Sequence, residues 1–216
     1  ARAFLHTQLT NDVEHLAQGE ARWYGYCTAK GRLLSTFLGW PEDDGLALTV
    51  ARPMAEALRK RLTMFVLRTK ARVADVSEAR LLFGLGGDAA AAALATLGFG
   101  RMPAPMACEQ AADLSLIGLP EVRLADHALP RWLLRVPAAR AAEVWQALSA
   151  ALAPASSELW RWTEVCAGVP RIVAATSEQF VPQMLNLDVS GGVSFTKGCY
   201  PGQEVVARTH YLGKQR

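Results

Sequence analysis

Long apolar runs, paired cysteines and an excess of charge are all missing from this chain, and each absence removes a class of function. Although 51% of its 216 residues are hydrophobic, no stretch approaches the roughly 18–20 consecutive apolar residues that a membrane span needs. No basic segment, apolar stretch and small-residue cleavage site opens the chain, so a soluble cytoplasmic protein with no membrane partner is expected. Cys27, Cys108, Cys166 and Cys199 are widely scattered and form no Cys-x-x-Cys pair. That spacing argues against a zinc ribbon or a disulfide scaffold and suits a reducing compartment. The histidines (His6, His15, His127 and His210) show neither metal-ligand spacing nor patterned acidic neighbours. They read as ordinary surface or packing residues, and no metal site is expected. P-loop, Gly-x-Ser-x-Gly and His-Glu-x-x-His patterns are absent. A net charge of +3 is too small to argue for nucleic-acid binding by itself.

What remains is an α/β mixture long enough for one large or two small cores. A first helix covers Ala3–Leu9, and the segments 22–29 and 31–37 read as a hairpin around Ala29-Lys-Gly31. Pro41–Gly45 is a loop, Leu46–Val50 a strand, and Pro53 opens a helix running to about Leu62. Met64–Leu67, Ala71–Val76 and Leu81–Phe83 are strand candidates, and Asp88 caps an alanine-rich helix that Gly98 ends. The prolines between Gly100 and Leu129 indicate an irregular connection. Trp132–Val136 is a strand, and an amphipathic helix covers Ala138–Leu152. This order predicts a split β-α-β, ferredoxin-like unit over 46–155.

One stretch carries most of the chemistry: Phe195-Thr-Lys-Gly-Cys-Tyr-Pro-Gly-Gln-Glu204. Pro201 presets φ for the first central position of a type II turn, and Gly202 accepts the positive φ of the second. Glu204-Val-Val-Ala-Arg208 then begins a helix with its acid at the positive end of the backbone dipole. Cys199 sits close to that helix start and to Lys197, both of which favour thiolate over thiol. The bland alternative is a buried, inert cysteine beside a tight turn.

Lys197-Gly-Cys-Tyr-x-Gly-Gln-Glu204 resembles the motif of the YgfZ family, folate-binding relatives of the T-protein (aminomethyltransferase) of glycine cleavage. Other blocks agree in order: Phe4-Leu-x-x-Gln-Leu-Thr-Asn-Asp12, Ala29-Lys-Gly-Arg-Leu33, Ala167-Gly-Val-Pro170, Phe180-Val-Pro-Gln183, and Asn186-Leu187 with Gly191-Gly192. The resemblance implies an α+β, T-protein-like fold, with 1–45 plus 156–216 as the folate-binding unit and the family's C-terminal β-barrel absent from this chain. It implies tetrahydrofolate or a derivative as cofactor, and iron–sulfur enzymes or assembly factors as partners of a monomer, with an indirect link to tRNA modification. Cys199 and Lys197 would be the working pair, shaped by Gly198, Tyr200, Gly202, Gln203, Glu204 and Arg208. Trp160, Trp162, Asn11, Asp12, Lys30, Gly31, Arg32 and Gln183 would contact folate.

Three further features compete with blander readings. Gly84-Leu-Gly86-Gly87-Asp-Ala89 fits a loose dinucleotide pattern, but Asp88 would sit beside the phosphate, and a turn is the better reading. Arg59, Lys60, Arg61, Arg68, Lys70 and Arg72 form a basic run without an acid over 57–74. Such a run is ordinarily a solvated face; the functional alternatives are attraction of a folate tail or of RNA. Trp160-Arg-Trp162, read as strand or irregular loop, offers a flat face for a pterin or two core residues. Finally, aminomethyltransferases related to the family carry an acid after the corresponding loop. Gly31–Phe37 contains no carboxylate, and losing a general acid or base typically costs about 10²–10⁴-fold in rate. Aminomethyl transfer is therefore the rival function, dependent on a substitute such as Asp12 or Glu204. A non-catalytic tRNA- or protein-binding module is the third reading.

Overall fold

Alternating large residues on either side of a glycine turn build the first sheet. Strands β1 (Arg22–Cys27) and β2 (Leu33–Glu42) pair antiparallel, Trp23 opposite Leu38 and Tyr24 opposite Phe37. β2 is buried from Leu33 through Pro41, so both of its faces are covered. β3 (Gly45–Thr49) joins its other edge, with Glu42 opposite Gly45. Of the expected Pro41–Gly45 loop, Pro41 and Glu42 belong to β2 and Gly45 to β3. This computed structural model describes residues 1–42, 45–66, 70–124 and 127–213; Asp43 and Asp44 fall outside them.

Around this sheet lie α1 (Arg2–His6), α2 (Ala55–Met64) and, near the C-terminal end, α6 (Gln203–Leu212). A 3-10 turn over Arg52–Met54 leads into α2 with Pro53 in its first turn, where a missing N–H costs nothing. The strand expected over Met64–Leu67 does not form as read: Met64 ends α2, and Leu67 lies outside the described residues. Ala71–Val76 is no strand either. Valines favour extended backbone, but a strand also needs a partner edge to pair with.

The remaining elements form the second sheet: β4 (Arg80–Gly86), α3 (Asp88–Ala95), β5 (Cys108–Ala111), β6 (Leu114–Leu124), β7 (His127–Pro137), α4 (Ala141–Ser149) and α5 (Ser157–Cys166). Strand order is β4-β7-β6-β5, with every neighbouring pair antiparallel. β4 and β6 therefore run the same way with β7 between them, as in a split β-α-β layer. Most of the connection expected over 100–129 is strand. Its prolines mislead because Pro120 sits where the β6–β7 register slips between Leu119 and Val122, and Pro130 lies in the same break. A missing N–H disrupts no ladder at a bulge. Leu85, Leu114, Leu116, Trp132, Leu134 and Val136 form one core with Ala90, Ala93 and Leu94 of α3 and Val144 and Leu148 of α4. α5 packs on the opposite face, where Gly84 and Arg131 point. Asp88 does not cap α3; Gly87 does, at φ 97°, and Asp88 follows in the first turn.

The chain divides into two units, 1–75 with 170–216, and 76–169. The boundaries expected at 45/46 and 155/156 move for identifiable reasons. β3 is tied to β2, which keeps it in the first unit, and α5 packs on β6, which draws it into the second. The fold class is α+β with two antiparallel sheets.

Candidate functional site

The Pro201-Gly202 pair turns the chain into α6. The Gln203 N–H donates to the Tyr200 carbonyl at 3.2 Å, and Gly202 takes φ 80° and ψ 4°, the second central position of a type II turn. Gly202 is pressed onto the β1–β2 hairpin: a Cβ there would strike Thr28 O and lie 2.6 Å from Gly31 Cα and N. Gly31, at φ 71°, leaves room in return for Val205, whose Cβ would lie 2.9 Å from an added Cβ. The Lys-Gly-Arg loop and the Pro-Gly-Gln-Glu turn are thus one interlocked piece. Gln183, on a 3-10 turn over Pro182–Leu185, clamps α6 by donating its Nε2 to Val206 O at 2.8 Å. Glu204 and Arg208 are exposed along α6, and Gln203 is half-buried.

Cys199 is exposed at the entrance to this turn, whereas Lys197 and Tyr200 on either side are buried. Lys197 is buried and donates its ammonium hydrogens to His6 O and, at 2.6 Å, to Leu9 O. His6 ends α1, where a cation suits the carbonyl end of the helix. The ammonium also stands 5.0 Å from the Tyr200 ring centroid. Burial lowers the lysine pKa to about 8, against the opposing pull of Asp12, Glu14 and Cys199. Sequence proximity points the lysine at the thiol; its hydrogen bonds go instead to the carbonyls of His6 and Leu9. Tyr200 is buried, its phenol pKa raised by desolvation, and its hydroxyl finds no partner among the described residues.

The N-terminal block is bound to the same piece. Thr10 Oγ1 donates to Gly192 O at 2.6 Å and accepts the Gly25 N–H at 2.7 Å. Asn11 donates its amide to Trp23 O (3.0 Å) and Gly191 O (2.7 Å) and accepts the Asp12 N–H. Both of its amide hydrogens are therefore engaged by backbone carbonyls of the protein. Asp12 lies 3.2 Å from His6 Nδ1 and 2.7 Å from His15 Nδ1. Desolvation would raise its pKa, but hydrogen bonds from the His15 backbone and ring, with the fields of both histidines, outweigh it and hold the carboxylate at about 2. The histidines do have an acidic partner after all. Spacings of six and three residues across a loop carry no recognised pattern, so sequence reading missed it.

A cavity of about 570 Å³ opens beside the hairpin tip, lined by Thr28, Ala29, Lys30, Arg32, Glu178 and Gln179. Glu178, at φ 64°, reaches it because its N–H bonds to Leu33 O while the Leu33 N–H bonds to Phe180 O. The Arg32 guanidinium donates to the Gln179 carbonyl. Sequence reading did not find Glu178, which lies far along the chain from Lys30.

Trp160 and Trp162 belong to the second unit and lie on a helix, α5, not on a strand or loop. Ser156 caps it, accepting the Leu159 N–H at 3.2 Å, with Glu158 in the first turn. That serine–acid pair was the available helix signal. The Trp160 ring lies against Gly84 and 5.3 Å from the Arg131 guanidinium. Arg131 is itself buried and donates to Pro120 O and Thr163 Oγ1. Trp162 is 47% exposed. The basic run is less free than its sequence implies, because Glu56, just outside it, pairs with both Arg59 and Lys60. Arg61 lies over the Tyr26 ring, and Arg68 falls outside the described residues. Among the described residues no side-chain cluster could hold a metal, and no helix is long and apolar enough to cross a membrane.

Over its whole length the chain is 34% identical to the "tRNA-modifying protein YgfZ" of Edwardsiella ictaluri (strain 93-146), across 220 aligned residues. The chain is thus similar to the YgfZ family. It spans 63% of that relative's length. No family model matches the chain. The fold also superposes on the crystal structure of glycine cleavage system aminomethyltransferase T from Bartonella henselae. The TM-score is 0.75 over 97% of this chain and 58% of that one, at 16% identity. At that identity the likeness establishes the T-protein fold alone.

Proposed function

We propose that this chain binds a reduced folate and supports the assembly or repair of iron–sulfur clusters, and thereby iron–sulfur enzymes that modify tRNA, with Cys199 as its functional thiol. The observation that carries this reading is the exposed Cys199 beside a turn that the rest of the first unit braces. Lys197 is tied to α1, Gly202 to the hairpin, and α6 to Gln183. A thiol with no structural task, on so braced a support, is placed to meet something from solution. The likeness to the Edwardsiella protein, and that protein's name, support the link to tRNA.

The cavity by the hairpin fits one end of a folate. Its volume suits a small ligand, and Lys30 and Arg32 offer cations to glutamate carboxylates. None of its lining residues is aromatic, so this cavity itself offers no stacking platform for a pterin. Glu178 gives the rival reading, a one-carbon transferase, a specific foothold, since it supplies the carboxylate that Gly31–Phe37 lacks. Asp12 is engaged by two histidines and is a poorer candidate for that task.

Calorimetric titration with tetrahydrofolate tests the binding reading: micromolar or tighter affinity, weakened by Lys30→Ala and Arg32→Ala together, is the expected result. No heat at millimolar folate would overturn it. Incubation with a labelled aminomethyl donor and tetrahydrofolate separates the rivals, because only a transferase moves label to folate. Salt-sensitive RNA binding that folate leaves unchanged would favour the third reading, a non-catalytic RNA-binding module.

A further inference from the structure

Three charged side chains line the hairpin-tip cavity, and none of them neutralises another. Lys30 and Arg32 come from the turn between β1 and β2, and Glu178 from the segment tied to the start of β2. The turn is closed by its own backbone: the Gly31 N–H donates to Thr28 O at 2.9 Å and the Thr28 N–H to Arg32 O at 2.8 Å. Thr28 Oγ1 accepts the Arg32 N–H at 3.3 Å. Glu178 is held on both flanks. Ser177 Oγ donates to Leu34 O at 3.0 Å, the Glu178 N–H to Leu33 O at 2.8 Å, and the Leu33 N–H to Phe180 O at 2.7 Å. These bonds keep Glu178 at φ 64°, a backbone conformation uncommon for a residue with a Cβ. The Arg32 guanidinium donates to Gln179 O through Nη1. Among the described residues its Nε and Nη2, the Lys30 ammonium and the Glu178 carboxylate have no hydrogen-bond or ion-pair partner.

Two cations and one carboxylate that line a cavity of about 570 Å³ without pairing complement a ligand carrying the opposite set, two acidic groups and one cation. A ligand with carboxylates alone satisfies Lys30 and Arg32 but is repelled by Glu178, and an amine alone meets the reverse. We propose that this cavity binds a zwitterionic amino acid with a second carboxylate. Its ammonium donates to the Glu178 carboxylate. Arg32 Nε and Nη2 form the fork that takes one of its carboxylates with two hydrogen bonds, and Lys30 takes the other as a point charge. The inference goes beyond folate binding, because the glutamate nitrogen of a folate is an amide and carries no charge for Glu178 to meet. It gives Glu178 a specificity role that needs no group transfer.

The test is an NMR titration of the protein with L-glutamate and with glutarate, which keeps both carboxylates and lacks the ammonium. L-glutamate should shift the amide signals of 28–32 and 178–179 with a Kd of about 1 mM or below, and glutarate should bind at least about tenfold more weakly. Glu178→Gln should abolish that preference, and Lys30→Ala should weaken L-glutamate by about tenfold. Both substitutions fall on exposed side chains outside the helices and strands, so the fold is retained. The proposal is overturned if glutarate binds the parent as tightly as L-glutamate, if Glu178→Gln keeps the preference, or if about 10 mM L-glutamate leaves these signals in place. Failure of the folate reading looks different. Tetrahydrofolate binding without L-glutamate binding would sink this inference alone, and L-glutamate binding without any tetrahydrofolate binding would sink the folate reading alone.

Discussion

Gly31 and Gly202 meet backbone to backbone, the Gly31 Cα lying 2.6 Å from where a Cβ on Gly202 would sit. Residues on a hairpin tip and on a motif turn are thereby made into one rigid support for Cys199. Gly202→Ala combines left-handed strain with a steric clash. It should cost about 2–5 kcal/mol, from roughly 1–2 for the backbone and 1–3 for overpacking. Gly191, also left-handed at φ 76° but with nothing within 4 Å of an added Cβ, should lose only the backbone part as Gly191→Ala. Urea unfolding of the two variants measures the difference; equal losses would mean the glycine contact is loose.

The second unit contains an analogous fit. An added Cβ on Gly84 would lie 2.7 Å from Trp160 Cε2 and closer still to Cδ2. Gly84→Ala should push the indole off the sheet and away from Arg131, shifting its emission maximum and costing about 1–3 kcal/mol. If Trp160 is also the folate platform, tetrahydrofolate should quench its emission less in this variant. An unchanged spectrum and stability would place Trp160 off Gly84.

Asp12 gives a pH-dependent signature. Its pKa is held at about 2 in the folded protein against 3.8 unfolded, so it contributes stability above about pH 4 that is lost as pH falls through about 2. Its side chain is 22% exposed, and with screening the contribution is about 1–2 kcal/mol. Asp12→Asn should be less stable than the parent by that amount near neutrality, with the gap closing in acid. A gap constant from pH 7 to pH 2 would contradict the assignment.

Lys197→Met removes the donor to His6 O and Leu9 O and leaves both carbonyls short of a partner. A loss of about 1–3 kcal/mol is expected. Thermal unfolding checks it, and a stability equal to the parent's would show that α1 does not depend on the lysine.

Much of the site's scaffold was legible because it depends on short-range chemistry. Pro201-Gly202 specifies its turn, Pro53 its helix start, and the Ala29–Gly31 turn its hairpin. What could not be read depends on pairing across distance. β6 was hidden by Pro120, which falls at a bulge, and the first-unit assignment of 46–75 rests on β3 pairing with β2. The His6–Asp12–His15 contact and the arrival of Glu178 beside Lys30 have no local signature, since each needs a loop closed by the rest of the fold. Trp160 was misplaced on a strand because the i, i+2 tryptophans outweighed the Ser156 cap in the reading.

The central claim is that Cys199 works as a thiol on a support that does not need it. Cys199→Ala, expressed in cells lacking the protein, tests this most directly when tRNA modification by iron–sulfur enzymes is assayed beside the purified variant's stability. The account predicts a variant as stable as the parent to within about 1 kcal/mol, because an exposed side chain contributes little packing, with tRNA modification not restored. Full restoration by Cys199→Ala at normal protein levels would contradict it.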